Sequence, residues 1–150
     1  MAAVFLDSNL LILLVTGTAS RDYIGKHKRL RAYDEADYDQ LLEFIASYSP
    51  IVVTPNTLTE TSNLLNQIAE PIRTHISLVF KMFLEGLEER FVESRRASND
   101  AEFVQLGLTD CALLSAIDRS HLLLTADLDL FVAAVKRGYQ AINFNHIRLK

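Results

Sequence analysis

The sequence predicts a three-layer α/β/α fold built on a central parallel sheet of five strands. Short aliphatic and β-branched runs alternate with longer segments of helical periodicity along the 150 residues. Each short run is apolar almost throughout, which is typical of strands covered by helices on both faces. Strands that alternate with helices form parallel sheets with right-handed crossovers. Because no Gly-, Pro- or Ser-rich linker divides the chain, we expect a single domain over residues 1–150.

The predicted strands and helices follow from these two patterns. The strands cover residues 3–6, 51–53, 91–93, 122–125 and 141–144, and the third of them, FVE, gives the weakest signal. The helices cover residues 37–48, 56–69, 71–87, 109–120 and 129–138. Pro71 is suited to open the third helix, and Gly138 to cap the end of the last one.

Composition limits the class of protein. The apolar fraction of 49%, the charged fraction of 23% and the net charge of −4 are those of an ordinary globule and argue against a non-specific nucleic-acid coat. The one cysteine, Cys111, cannot form an internal disulfide and is expected to be a small buried residue in a helix. The start MAAVFLD lacks a basic signal region and no apolar run reaches membrane-spanning length, so we expect a cytoplasmic protein with no membrane contact.

Acidic residues recur where the predicted strands end and the helices begin. Asp7 follows the first strand, Glu60 lies early in the helix after the second, and Asp110 opens the helix before the fourth. Asp127 follows the fourth strand, with Asp129 two residues later. Sites in open parallel sheets lie beyond the carboxyl ends of the strands, so these acids are candidate site residues.

Each acid also has a purely structural interpretation, which the sequence leaves open. Thr57-x-x-Glu60 matches the capping box at a helix start. Asp110 could favour the helix dipole from the first turn, and Asp7 and Asp127 could be N-caps. If the carboxylates converge, however, two of them about 4 Å apart repel by roughly 4 kcal/mol. A helix N-terminus offsets only about 0.3–1 kcal/mol of this.

A divalent cation would offset the repulsion among converging carboxylates. An all-oxygen set with no neighbouring Cys or His suits Mg²⁺ or Mn²⁺ rather than zinc. Water activated by such a metal is a nucleophile towards phosphodiesters. The residues alone therefore indicate a carboxylate metal site capable of hydrolytic phosphoryl transfer.

Three segments in order along the chain carry a resemblance to a known family. They are VFLDSNLLI, TLTETSNLL and LGLTDCALLSAIDRSHLLLTADLDLF. The chain resembles a PIN domain, the nuclease fold of VapC-type toxins and several RNA-processing endonucleases. The resemblance implies strand order 3-2-1-4-5, an acidic pocket for Mg²⁺ or Mn²⁺, and endoribonuclease activity by metal-activated water. It also implies an RNA substrate, a homodimer and an antitoxin partner.

The resemblance assigns roles to individual residues. Four acids, called the acidic quartet below, would be catalytic: Asp7, Glu60, Asp110 and Asp127. Asp7, Asp110 and Asp127 would bind the metal, with Glu60 and Asp129 as further candidate ligands. Asp129 could add to Asp127 or replace it. Ser8 and Asn9 occupy the family's hydroxyl and amide positions, and Ser8 and Thr125 would orient carboxylates as hydroxyl donors.

Two further segments bear on partners. The basic run at residues 25–31 offers Lys26, Lys28, Arg29 and Arg31 to RNA phosphates, with a solvated loop as the alternative. The apolar helix pair at 56–87 is expected to cover the core, with a dimer or antitoxin surface as the alternative.

Other functions fit the motifs less well. A haloacid-dehalogenase-like phosphatase needs a second Asp two residues after the first, where this chain has Asn9. A receiver domain needs an early acidic pair and a lysine after the last strand, and a flap nuclease needs further acids and DNA-binding insertions. A non-catalytic PIN-fold binding module would be free to lose acids, yet all four positions are filled.

Overall fold

Five parallel strands form the central sheet of the computed structural model, which describes residues 1–148. They are β1 (Val4–Leu6), β2 (Ile51–Val53), β3 (Glu88–Glu89), β4 (Leu122–Thr125) and β5 (Gln140–Asn143). Their order is 3-2-1-4-5 and every neighbouring pair is parallel. The predicted fold class and strand order are confirmed.

The sheet separates two hydrophobic cores, as a three-layer fold requires. In β1, Val4 and Leu6 belong to one core and Phe5 to the other, because successive side chains of a strand point to opposite faces. All three side chains are fully buried, since β1 lies between β2 and β4. Burial on both faces explains why the strand is apolar throughout.

The predicted third strand at residues 91–93 is wrong. The structure places β3 at Glu88–Glu89, where it pairs with β2 through Val52 and Val53. Both glutamates are exposed at the sheet edge, so the pairing is carried by the backbone and leaves no apolar pattern in the sequence. Residues 91–93 instead form the connection to the next helix.

Eight helices cover the two faces of the sheet in the described residues. They are α1 (Ser8–Ala19), α2 (Glu35–Ile45), α3 (Pro55–Leu65), α4 (Ile72–Gly86), α5 (Ser94–Ser98), α6 (Phe103–Ala116), α7 (Leu128–Lys136) and α8 (Phe144–Ile147). The five predicted helices correspond to α2, α3, α4, α6 and α7 with shifted ends. As predicted, Pro71 immediately precedes α4, and Gly138 follows the end of α7 with a positive φ of 80°.

The helix α1 is absent from the sequence prediction for a physical reason. Every residue from Leu10 to Gly17 is buried, so the helix has no polar face and therefore no helical periodicity. The segment 17–50, which matches no motif, contains the end of α1, two 3₁₀ turns (Arg21–Lys26 and Lys28–Leu30) and α2. This segment closes one side of the core.

The helix pair α3 and α4 covers the core on one side and exposes apolar surface on the other. Leu65 and Ile76 are buried, and most other apolar residues of the pair pack partly against the core. Leu78, Met82 and Leu84 remain 57%, 71% and 42% exposed. No helix among the described residues is long and apolar enough to cross a membrane.

A glycine interrupts α6 just before a candidate acid. Gly107 has φ 85° and ψ 175°, which helical residues do not adopt and which glycine reaches without steric cost. Helical geometry therefore restarts after Gly107 and places Asp110 in a new first turn. One residue later Cys111 is fully buried, as predicted.

Candidate active site

The acidic quartet lines one cavity at the carboxyl edge of the sheet. Asp7 follows β1, Glu60 lies on α3, Asp110 lies on α6 and Asp127 follows β4. The cavity measures about 30 Å³, which is enough for a water molecule or an ion. Its remaining lining residues are Ser8, Asn9, Thr57, Thr109 and Leu113. Four separate elements thus bring the quartet together.

Asp7 is held rigidly by neutral donors. One oxygen accepts the backbone N–H of Leu10 at 3.0 Å, which makes Asp7 the N-cap of α1. The other accepts the backbone N–H of Ala126 at 2.9 Å and the hydroxyl of Thr125. Burial raises the pKa of Asp7, and these hydrogen bonds oppose the rise. The carboxylate therefore links β1 to the end of β4.

Asp127 is the N-cap of α7 and sits on the same network. One of its oxygens accepts the backbone N–H of Leu130 at 3.1 Å. Its own backbone N–H donates to the Thr125 hydroxyl at 3.0 Å, and that hydroxyl donates to Asp7. The N-cap interpretation of Asp7 and Asp127 is therefore correct. It is compatible with a site, because both residues also line the cavity.

The capping-box interpretation of Glu60 is wrong. The N-cap of α3 is Thr54, whose hydroxyl accepts the backbone N–H of Thr57 at 3.1 Å. Pro55 then occupies the first helical position, where its missing N–H costs nothing. Glu60 therefore lies six residues, or nearly two turns, beyond the cap, where its carboxylate has no capping role and lines the cavity.

The pKa of Asp110 reflects the negative charge that surrounds the cavity. This pKa is raised to about 7, first by burial and then by the negative charges of Asp127, Asp7, Glu60 and Asp129. Burial and neighbouring negative charges both disfavour the ionised form, as expected of a half-buried carboxyl that faces other carboxylates. The first-turn position predicted for Asp110 is correct, since Gly107 restarts the helix, but the dipole of that turn does not cancel the repulsion.

The quartet has no cationic partner in the described chain. Within residues 1–148, none of its four carboxylates forms an ion pair with Lys, Arg or His. In the same residues, no group of three or more His, Cys, Asp or Glu is already arranged to hold a metal ion. The acids of the quartet therefore line one cavity without forming a ready-made metal cluster.

The residues present nevertheless fit a hard divalent cation. The donors around the cavity are carboxylate, hydroxyl and amide oxygens, which Mg²⁺ and Mn²⁺ prefer. The hydroxyl of Ser8 is buried at the cavity and finds no hydrogen-bond partner among the described residues. Ser8, expected to orient a carboxylate, therefore does not do so here, unlike Thr125. An unpartnered buried hydroxyl points to a ligand.

Two other predicted site residues differ in position. Asn9 is exposed and lines the cavity beside Asp7. Asp129 is exposed in the first turn of α7 and does not line it. Its charge still contributes to the raised pKa of Asp110, although it is the smallest of the four acidic contributions.

The basic run lies away from the acidic cavity. Its residues occupy the two 3₁₀ turns that follow α1, a helix of 12 residues and thus about 18 Å long that begins at the cavity. His27 is buried and its ring contacts the carbonyl of Leu65 at 3.1 Å, and Arg29 donates to Gln67 at 2.8 Å. Neither Lys26, Lys28, Arg29 nor Arg31 lines the cavity. Their contact with RNA stays a prediction.

A second, larger cavity adjoins the first and was missed in the sequence. It measures about 650 Å³ and shares Glu60 and Thr109 with the acidic cavity. Asn56, Asn63 and Phe91 are among its lining residues. The spacing of 56, 60 and 63 places three polar side chains on one face of a helix, which was the available signal. Phe91 was assigned to a strand.

No protein-family model matches the chain, and a search of curated proteins also found no match. The resemblance to PIN domains thus depends on the sequence motifs alone and stays a prediction.

Proposed function

We propose that this chain is a Mg²⁺- or Mn²⁺-dependent endoribonuclease that hydrolyses phosphodiester bonds. The observation that carries the proposal is the acidic quartet, which lines one cavity without a cationic partner in residues 1–148. Several carboxylates facing one cavity are costly unless a cation neutralises them. The oxygen-only donor set selects a hard cation, and such cations in proteins accompany phosphoryl chemistry.

The chain's own residues divide the work. Thr125, Ala126 and Leu10 hold Asp7 in one orientation through both of its oxygens. The Asp110 carboxyl, whose pKa is raised to about 7, holds a proton on part of the molecules at neutral pH and would hold a cation in its ionised form. A bound divalent cation would neutralise the acids and act as a Lewis acid on the phosphodiester. Ser8 offers its free hydroxyl to the same space.

The first test is cleavage of a mixed, unstructured RNA with Mg²⁺ or Mn²⁺, with EDTA as a control. We expect Asp7→Asn to lower the rate by at least about a hundredfold while the protein stays folded, because the amide keeps the N-cap but removes the charge. Asp22→Asn is the matched control, since Asp22 is exposed on a 3₁₀ turn beyond the end of α1 that is farther from the cavity. Equal rates for wild type and Asp7→Asn would contradict the proposal.

A non-catalytic binding module is the second candidate function. It is favoured by the absence, in the described part of the chain, of three ligand side chains already arranged around a metal position. Calorimetric titration of the protein with Mn²⁺ distinguishes the nuclease from the binding module. Binding of Mn²⁺ that is lost in Asp7→Asn supports the nuclease, and a folded protein that binds no Mn²⁺ supports the module.

The proposal extends to partners and location. An exposed apolar surface on α4 supports contact with protein, either a second copy of the chain or an antitoxin. Leu78 and Met82 lie four residues apart on that surface and would be covered. A single buried cysteine supports a reducing cytoplasm. Sedimentation of the purified chain tests the homodimer, and replacement of Met82 by Lys should dissociate it.

A further inference from the structure

The larger cavity adjoins the acidic one and differs from it in chemistry. Glu60 and Thr109 line both, so the two cavities are direct neighbours. At about 650 Å³ the larger cavity has the size of an ordinary ligand site. Among its described lining residues there is no Lys and no Arg, so it lacks the cationic side chains that attract phosphate most strongly.

Phe91 gives this cavity an unpartnered aromatic ring. Its side chain is 81% exposed, and it is the one exposed aromatic residue in the part of the chain that the structure describes. It belongs to neither hydrophobic core, whereas the next residue, Val92, packs against Ala97 and Cys111. The packing of Val92 therefore fixes the backbone next to Phe91, whose exposed ring lines the cavity.

Two side-chain amides face the same space from α3. Asn56 and Asn63 lie seven residues apart, with Glu60 between them, so all three share one face of the helix. Within residues 1–148, neither amide forms a side-chain hydrogen bond. Each amide offers both a donor and an acceptor, the set that reads the edge of a nucleobase.

We propose that this cavity binds an unpaired nucleobase, which stacks on Phe91 and pairs with the amides of Asn56 and Asn63. The inference rests on the proposed function, because it places the phosphodiester next to that base at the acidic quartet. Proteins recognise single-stranded RNA by stacking splayed bases on aromatic rings and by bonding their edges. Bases inside a duplex cannot reach such a ring. The substrate is therefore single-stranded at the cleavage site.

The chain offers a direct probe of stacking, since it contains no tryptophan. Phe91→Trp places one fluorophore at the cavity, and Val135→Trp places one at an exposed position near the end of α7, outside both cavities, as the matched control. Each variant is titrated with single-stranded hexanucleotides of A, C, G or U in EDTA, so that no cleavage occurs. We expect saturable quenching of Phe91→Trp, none of Val135→Trp, and none of either by the same sequences as a duplex.

Two further variants test the roles within the cavity. Phe91→Ala should weaken binding of the single strand about five- to a hundredfold, as expected for loss of one stacked base. Asn63→Asp, which replaces donors with acceptors, should change the order of preference among the four bases. Binding is measured without cleavage, so a folded chain that cleaves nothing can still support the base site. Unchanged affinity in Phe91→Ala, or quenching by duplex as strong as by single strand, would overturn it.

Discussion

Asp37 and Asp7 are both buried carboxylates, but their surroundings are opposite. Arg148 donates to both oxygens of Asp37, at 3.0 and 2.7 Å, and its guanidinium lies 4.7 Å from the ring centre of Tyr33. Asp7 is held by two backbone N–H groups and the hydroxyl of Thr125, all of them neutral. The chain thus supplies a cation for one carboxylate and none for the other.

The same contrast separates Asp100 from Asp110. Arg137 binds Asp100 through two contacts of 2.7 Å and lowers the pKa of that carboxyl. Asp110 faces other carboxylates, and its pKa rises to about 7. A carboxylate with its own arginine has its charge neutralised within the chain. A carboxylate without one keeps a charge that a partner from outside the chain can neutralise.

The largest expected effect on stability comes from breaking the ion pair between Asp37 and Arg148. Arg148→Met leaves Asp37, whose side chain is 1% exposed, buried without its cation, and should lower the free energy of unfolding by about 3–5 kcal/mol. Denaturant unfolding measures this, and RNA cleavage by the folded fraction should not change. The double variant Asp37→Asn with Arg148→Met should recover much of the loss. A loss below about 1 kcal/mol would remove the distinction between the two carboxylates.

Adding a divalent cation should neutralise the acidic quartet and so stabilise the folded protein. At a Mn²⁺ concentration one hundred times its dissociation constant, the free energy of unfolding should rise by about 2.7 kcal/mol. Asp7→Asn should lose most of this gain, while Asp22→Asn, on an exposed 3₁₀ turn, should keep it. Thermal unfolding with and without Mn²⁺ measures both. A gain that survives in Asp7→Asn would place the cation elsewhere on the protein.

Strands and acids were predictable because they leave local signals. Buried parallel strands such as β4 are uniformly aliphatic, and an acid directly after a strand, such as Asp127, stands out against them. The edge strand Glu88–Glu89 left no signal, since its pairing uses backbone groups. The helix α1 left none because it is buried on every side.

The local role of Glu60 could not be decided from spacing alone. Thr57-x-x-Glu60 fits a capping box, but Thr54 and Pro55 lie earlier and start the helix one turn sooner. Which threonine caps the helix depends on where β2 ends, and its last residue, Val53, pairs with Glu89 of the distant segment that forms β3. The cavity that contains Phe91 was likewise hidden, because it joins residues 55–64, 91–94 and 109, which lie 15 or more residues apart in sequence.

Removing one charge from the quartet should stabilise the protein without metal. The pKa of Asp110 is about 7 folded against an ordinary 3.8, so the folded state binds more protons between these values and loses stability as the pH rises through them. In EDTA at pH 8, Asp110→Asn should therefore be more stable than wild type by about 1–2 kcal/mol. The difference should vanish well below pH 3.8, where the carboxyl of Asp110 is neutral in both the folded and the unfolded state. A variant less stable than wild type at pH 8 would show that the quartet does not repel Asp110.

Replacing Asp129 should have the smallest effect on the cleavage rate, because Asp129 lies outside the cavity that the acidic quartet lines. Its carboxylate is exposed and outside the cavity, so salt and water screen its charge from the quartet. We expect Asp129→Asn to change the cleavage rate less than about threefold, against at least about a hundredfold for Asp127→Asn, which alters the residue lining the cavity. Comparing both variants at two salt concentrations separates screening from ligation, because a screened charge matters less at high salt. Equal losses in the two variants would mean that the start of α7 rearranges when the cation binds and turns Asp129 inward.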